Sequence, residues 1–163
     1  MIDLSQRAIE LRQYGIIKGS RPIFLKIEKG NYNYRGKYVM TIEEEHLHFY
    51  QLKFNYGYKG DKDFLVKFSV LDGFRLVAYK ENRKRFVLVF KDQLEFTFNF
   101  YCGSEASYDN EPNIKFLMKV LKEKGIAHKN NLKGGKIGQK TISKANQWLT
   151  QEIRSPKKRG LFK

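Results

Sequence analysis

Short runs of alternating apolar and polar residues fill the middle of the chain, between Phe24 and Gly125. A period of two is typical of strands that bury one face against a core. The predicted strands cover residues 24–28, 38–42, 46–51, 64–71, 74–78, 86–90 and 94–101. Asp72 and Gly73 lie between the fourth and fifth of these runs and predict a tight hairpin turn there.

Helical spacing precedes the first strand. Leu4, Ala8 and Leu11 fall on one face of a helix, Asp3 is a suitable N-cap and Gly15 is a suitable end. We expect this helix to pack on the β-rich region.

A second helix is predicted after the last strand. Pro112 suits its first turn, where the missing N–H would have no partner in any case. An apolar stripe then runs until Gly125, formed by Ile114, Leu117, Met118 and Leu121. The spacing also predicts a third helix from Thr141 to Ile153.

Together these elements predict a mainly β fold of the α+β class. The 13 Phe and 10 Tyr favour it over an all-helical fold, because aromatic side chains pack well on pleated sheets. We expect residues 22–125 to form a seven-stranded antiparallel barrel closed at one end by the amphipathic helix. Residues 1–21 would be an N-terminal helix, and residues 126–163 a basic linker, a short helix and a tail.

A hairpin made of Tyr38-Val39-Met40-Thr41, an acidic turn and Leu47-His48-Phe49-Tyr50 leads into the later strands and the helix. This order resembles the pleckstrin-homology-like (PH-like) superfold, in particular its bacterial and GRAM-type members, over roughly residues 22–125. Many eukaryotic members carry a Trp in the final helix, where this chain has Phe116 and Leu117. The resemblance implies a non-enzymatic binding module.

The resemblance also implies a candidate site for an anionic ligand. Members that bind phosphoinositides use a Lys near the first strand and a basic-x-Arg pair that enters the second strand. Lys29, Arg35 and Lys37 partly match this pattern, with Lys37 where the family prefers Arg. The alternative is that these residues are solvated loop cations, which are common in a basic protein.

The segment between the third and fourth strands mixes cations with aromatic residues. Lys53, Lys59 and Lys62 are interleaved there with Phe54, Tyr56 and Tyr58. This mixture suits contact with a membrane interface or stacking on unpaired bases. It equally suits a loop that packs on its own barrel.

Basic charge is concentrated at the end of the chain. The net charge is +15, and residues 126–163 contain ten basic residues and one acid, Glu152. Such an excess attracts polyanions, and the tail residues Lys157, Lys158 and Arg159 are its clearest cluster. An alternative function is therefore a nucleic-acid accessory protein that uses this basic segment.

Catalytic and cofactor motifs are not evident in the sequence. His46 and His48 share one face of a strand, which would permit two metal ligands. A third ligand could come from Glu44 or Cys102 only by assuming a contact. We therefore predict exposed strand histidines and no metal site. Residues 134–138 lack the spacing of a phosphate-binding loop. Cys102 has no nucleophile signature around it. We expect no cofactor and no enzymatic activity.

These patterns predict a binding module that recruits a protein partner or an anionic lipid through the barrel loops and the basic tail. The single cysteine and the lack of a signal-like or bilayer-spanning apolar stretch indicate a cytoplasmic protein, which can be peripheral at the inner membrane face. Exposed strand edges would also allow a homo-oligomer.

Overall fold

The computed structural model describes residues 3–18, 21–28, 34–80, 82–101, 104–105 and 108–129. Two helices lie in this part of the chain, α1 (Leu4–Gln13) and α2 (Glu111–Glu123). The strands are β1 (Ile23–Ile27), β2 (Gly36–Ile42), β3 (His46–Gln51), β4 (Phe64–Lys67), β5 (Leu71–Lys80), β6 (Arg83–Phe90), β7 (Glu95–Tyr101), β8 (Ser104–Glu105), β9 (Tyr108–Asp109) and β10 (Ala127–His128). The fold is α+β and mainly β. The third predicted helix lies outside the described residues.

Eight of the strands form one open, mixed sheet in the order β10-β5-β6-β7-β1-β2-β3-β4. The prediction of seven antiparallel strands closed into a barrel is therefore wrong in its strand number and in its closure. The eighth strand, β10, runs parallel to β5 through Ala127 and His128. Two residues are too few to produce an alternating pattern, which explains why the sequence did not reveal this strand. β8 and β9 form a separate small hairpin.

The predicted hairpin at Asp72 and Gly73 is also wrong. β4 ends at Lys67, a single 3-10 turn covers Phe68–Val70, and both predicted turn residues lie within β5. β4 pairs with β3, whereas β5 pairs with β6 and β10. Gly73 has a different use, because a Cβ atom there would lie 2.6 Å from Cδ of Lys129, which follows β10. The glycine therefore makes room for the side chain of Lys129, directly after the edge strand, and does not form a turn.

Phenylalanine rings fill the core on one face of the sheet. Phe49 of β3 lies 6.0 Å from Phe96 and 5.9 Å from Phe98 of β7, measured between ring centroids. Since β1 and β2 lie between β3 and β7 in the sheet, these contacts require a strongly curved sheet. α2 covers the concave side with Ile114, Leu117 and Leu121, as its apolar stripe predicted.

The opposite face of the sheet, which we call the outer face, carries α1. Asp3 caps this helix by accepting a hydrogen bond from the backbone N–H of Gln6, and Gly15 follows its end with a φ of +74°. Its buried face, Leu4, Ala8 and Leu11, forms a second apolar cluster with β1, β2 and β3. The predicted start, face and end of this helix are confirmed.

Tyr108 ties the β8–β9 hairpin to the start of β1. Its hydroxyl donates to the carbonyl oxygen of Pro22 and accepts a hydrogen bond from Asn113 Nδ2. Burial raises the pKa of Tyr108 to about 12, and the hydrogen bond from Asn113 opposes this rise.

Alkaline pH should therefore destabilise the fold through Tyr108. A phenol with a pKa near its ordinary value of about 10 in the unfolded chain releases its proton there first, so the free energy of unfolding falls as pH rises from about 10 to about 12. We expect Tyr108→Phe to reduce this slope in urea titrations repeated at increasing pH. An unchanged slope would show that the phenol ionises equally in both states.

Candidate functional site

The loop of residues 53–63, here called the aromatic loop, has a defined conformation. The backbone N–H of Tyr56 donates to the carbonyl of Lys53, and the N–H of Lys53 donates to the carbonyl of Gly57. Tyr56 and Tyr58 pack against the α1 cluster, and the Tyr58 hydroxyl donates to the Asp63 carboxylate. Phe54 differs from both tyrosines because it is 88% exposed. The loop therefore packs on its own sheet with two of its aromatic residues and presents the third to solvent.

Lys37 connects this loop to β2. Its Nζ donates to the carbonyl oxygen of Phe54 at 2.9 Å and lies 4.5 Å and 4.1 Å from the ring centroids of Phe54 and Tyr56. Such cation–π contacts hold an ammonium group over an aromatic face. Burial lowers the pKa of Lys37, and the positive charge of Lys26 lowers it further. Lys37 is therefore a positioned cation and not a freely solvated one.

Lys26 lies beside Lys37 because the register of β1 and β2 pairs these two residues directly. The register of β1 and β7 places Asn99 on the other side of Lys26. The three residues, with Phe54 and Tyr56, line a cavity of about 240 Å³ that we call the basic pocket. Two lysines paired directly across strands repel each other, which is unfavourable unless an anion lies nearby.

Asn99 sits in the wall of this pocket and is only 2% exposed. Its Nδ2 donates to Glu28 Oε2 at 2.8 Å, and its Oδ1 accepts from an Arg83 guanidinium nitrogen at 2.9 Å. Asn99 occupies one of the polar positions that alternate with the Phe residues of β7, and these bonds hold its buried side chain between two strands. Glu28 and Arg83 therefore fix the position of the Asn99 side chain in the pocket wall.

The predicted anion-binding residues fall mostly at one end of the β2–β3 hairpin. Arg35 is exposed just before β2, and Lys37 lies at its start. Lys53, Lys59 and Lys62 are exposed on the aromatic loop, where the backbone N–H groups of Lys59 and Lys62 donate to Gln51. Lys29 and the tail residues Lys157, Lys158 and Arg159 lie outside the described residues.

The sequence did not reveal Lys26 as part of the site. The one available signal was its position as the single polar residue in the apolar strand Ile23–Ile27. Its neighbours in the pocket come from β2 and β7, and these pairings depend on strand order, which local periodicity does not contain.

Comparisons with known proteins do not decide between functions for this chain. No protein-family model matches it. No curated protein matches it either. Within the part of the chain that the structure describes, every helix is too short or too polar to cross a bilayer. A function therefore has to be inferred from the pocket and the loop.

Proposed function

We propose that the chain is a non-enzymatic binding module of PH-like type that docks onto an anionic lipid surface through the basic pocket and the aromatic loop. The observation that carries this proposal is the position of Phe54, which is almost fully exposed directly beside a paired-lysine pocket. A peripheral lipid-binding site needs both features, since an apolar side chain enters the interface and cations meet the headgroups.

The pocket suits a small anion in size and in charge. Its volume of about 240 Å³ lies below the ~300–1,000 Å³ of pockets for drug-sized ligands. A phosphate of a lipid headgroup would neutralise the repulsion between Lys26 and Lys37, and ammonium groups bind phosphate as point charges. Asn99 and Tyr101 line the same cavity.

The aromatic loop would supply the apolar anchor. Moving a phenylalanine side chain from water into an apolar phase contributes about 1.5–3 kcal/mol. Each exposed cation at this end of the hairpin, such as Arg35, Lys53, Lys59 and Lys62, would add on the order of 1 kcal/mol near an anionic membrane. The Asp63 carboxylate accepts hydrogen bonds from the Tyr58 hydroxyl and from the Gln51 N–H, which limits its repulsion of an anionic surface.

The PH-like interpretation of the scaffold rests on β1 to β7 and α2. β1 to β4 pair antiparallel in chain order, β5 to β7 do the same, and β1 joins β7. α2 packs its apolar stripe against the resulting core. In this interpretation the aromatic loop belongs to the rim that such modules use for binding.

Cosedimentation of the full chain with vesicles tests the proposal. We expect binding to phosphatidylcholine vesicles that contain phosphatidylserine and little binding to phosphatidylcholine alone. Phe54→Ser should weaken this binding about tenfold or more, because the lost insertion exceeds about 1.4 kcal/mol. Lys26→Gln should weaken it about fivefold, which corresponds to about 1 kcal/mol.

Matched substitutions outside the site distinguish binding through this site from non-specific binding to the vesicles. Tyr14 is 79% exposed at the end of α1 and does not line the pocket, so Tyr14→Ser removes an exposed aromatic side chain from outside the site. Lys119→Gln removes an exposed cation from α2. Both should leave binding unchanged. Equal binding to neutral and anionic vesicles, or full binding by Phe54→Ser and Lys26→Gln, would overturn the proposal and leave a protein partner or nucleic acid as the target.

A further inference from the structure

Three side chains of the metal-ligand type meet at the turn between β2 and β3, at the opposite end of this hairpin from the aromatic loop. Glu43 follows β2, and His46 and His48 occupy alternate positions of β3. The hairpin register pairs Thr41 with His48, and the backbone N–H of Glu43 donates to the carbonyl of His46 at 2.9 Å. The turn therefore places the carboxylate on the same face as the two imidazoles.

The distances suit a shared ion. The potential ligand atoms of Glu43, His46 and His48 all lie within 4.8 Å of one another. Glu43 Oε1 is 3.9 Å from His46 Nε2. Two ligands of a tetrahedral zinc ion lie about 3.4 Å apart, given metal–ligand bonds of about 2.0–2.1 Å. Side-chain rotations that move these atoms by about an ångström would close the site.

Neighbouring residues hold two of the three groups in place. Thr41 Oγ1 donates to Glu43 Oε2 at 2.9 Å, and the Tyr50 hydroxyl lies 3.5 Å from the same oxygen, while Oε1 faces His46. The His48 ring stacks on Tyr50 with centroids 4.0 Å apart and an angle of 11° between the planes. Hydrogen-bonded carboxylates and fixed imidazoles are the usual surroundings of protein metal sites.

We propose that Glu43, His46 and His48 bind a divalent transition-metal ion. Two imidazole nitrogens and one carboxylate are a common ligand set for Zn²⁺, and three protein ligands leave a fourth position for water or for a group from a partner. The site is half-buried and open to solvent, so an ion can enter it. The metal site shares no residue with the basic pocket, so the proposal of metal binding does not depend on the proposal of membrane docking.

Calorimetric titration of the untagged full chain with Zn²⁺ tests this site. We expect one ion per chain, and we expect His46→Asn and His48→Asn each to lower the affinity by more than about 100-fold. Thr41→Val keeps the shape of a β-branched side chain and removes the hydroxyl that donates to Glu43 and also contacts the Tyr50 hydroxyl. It should lower the affinity by about 10- to 100-fold, the usual effect of losing a partner of a metal ligand.

Two control variants locate the binding. His128 stacks on Phe74 away from the hairpin turn, so His128→Asn should leave the affinity unchanged, and Cys102→Ser should do the same. Circular dichroism of each variant checks that it folds. The proposal is overturned if wild type binds no Zn²⁺, if folded His46→Asn and His48→Asn variants bind normally, or if Thr41→Val has no effect. Normal binding by the two folded histidine variants would leave Glu43 and His46 as an ordinary side-chain contact within the turn.

Discussion

Replacing Leu117 with alanine should lower the free energy of unfolding by about 2–5 kcal/mol, one of the two largest losses that we expect from a single substitution. Leu117 is fully buried in the middle of α2, between Ile114 and Leu121 on the same stripe. Alanine would remove apolar contact with the core and leave a cavity that a curved sheet can fill only in part. Urea denaturation of the wild type and of the Leu117→Ala variant, monitored by far-UV circular dichroism, measures the difference in the free energy of unfolding.

The same helix offers the control for this experiment. Lys119 is exposed two residues further along, so Lys119→Ala should change stability by no more than about 0.5 kcal/mol. Since alanine is the best helix former, any large loss in Leu117→Ala has to come from packing and not from helix propensity. A loss below about 1 kcal/mol would mean that α2 does not seal the core.

The helices could be predicted because their signals are local. α2 carries an apolar stripe of period 3.6, a proline in its first turn and a glycine after its end, and each of these features is readable within a dozen residues. Most strands were found for the same reason, although their ends shift by up to four residues. Neighbouring residues determine these patterns, and the tertiary fold did not override them.

Features that depend on strand pairing could not be predicted in this way. Asp72 and Gly73 have a typical turn composition, but the contacts of β5 with β6 and β10 make them part of a strand. The dipeptide signal was outweighed by partners that lie 15 or more residues away along the chain. The open edge of the sheet and its eighth strand escaped prediction for the same physical reason.

The candidate sites also differ in whether their residues are neighbours in the sequence or are brought together by strand pairing. The aromatic loop could be found from the sequence because its cations and aromatic residues are neighbours in the chain. Lys26 joins Lys37 only through the register of β1 and β2, and Glu43 approaches the two histidines only through the turn that closes β2 and β3. A period of two indicates which face a side chain occupies, but it does not indicate which strand lies alongside.

Asn110 is the second position at which we expect a large loss of stability. The residue is 3% exposed and precedes α2, yet its side chain makes no cap hydrogen bond to the helix. Instead Oδ1 accepts from the backbone N–H of Phe24 at 2.9 Å, and Nδ2 donates to the carbonyl of Phe24 at 3.0 Å. β7 pairs with β1 only further along, at Lys26. The amide of Asn110 therefore takes the place of a missing strand next to Phe24.

Asn110→Ala should lower the free energy of unfolding by about 2–6 kcal/mol. The substitution leaves one buried donor and one buried acceptor without a partner, and each such group costs about 1–3 kcal/mol. Asn113→Ala is the matched control. Asn113 also donates to a backbone carbonyl, that of Pro22, and to the Tyr108 hydroxyl, but these bonds are only partly buried, so its loss should cost about 1 kcal/mol. Urea denaturation compares the two variants.

Amide hydrogen exchange tests the same prediction at a single residue, through the protection of the Phe24 N–H. In Asn110→Ala the N–H of Phe24 should lose more protection than the global loss of stability accounts for, since it donates to an asparagine oxygen that alanine lacks. In Leu117→Ala the same N–H should lose protection only in step with global unfolding. If Phe24 behaves alike in both variants, water replaces the asparagine amide at no cost, and the open end of β1 needs no side chain to complete it.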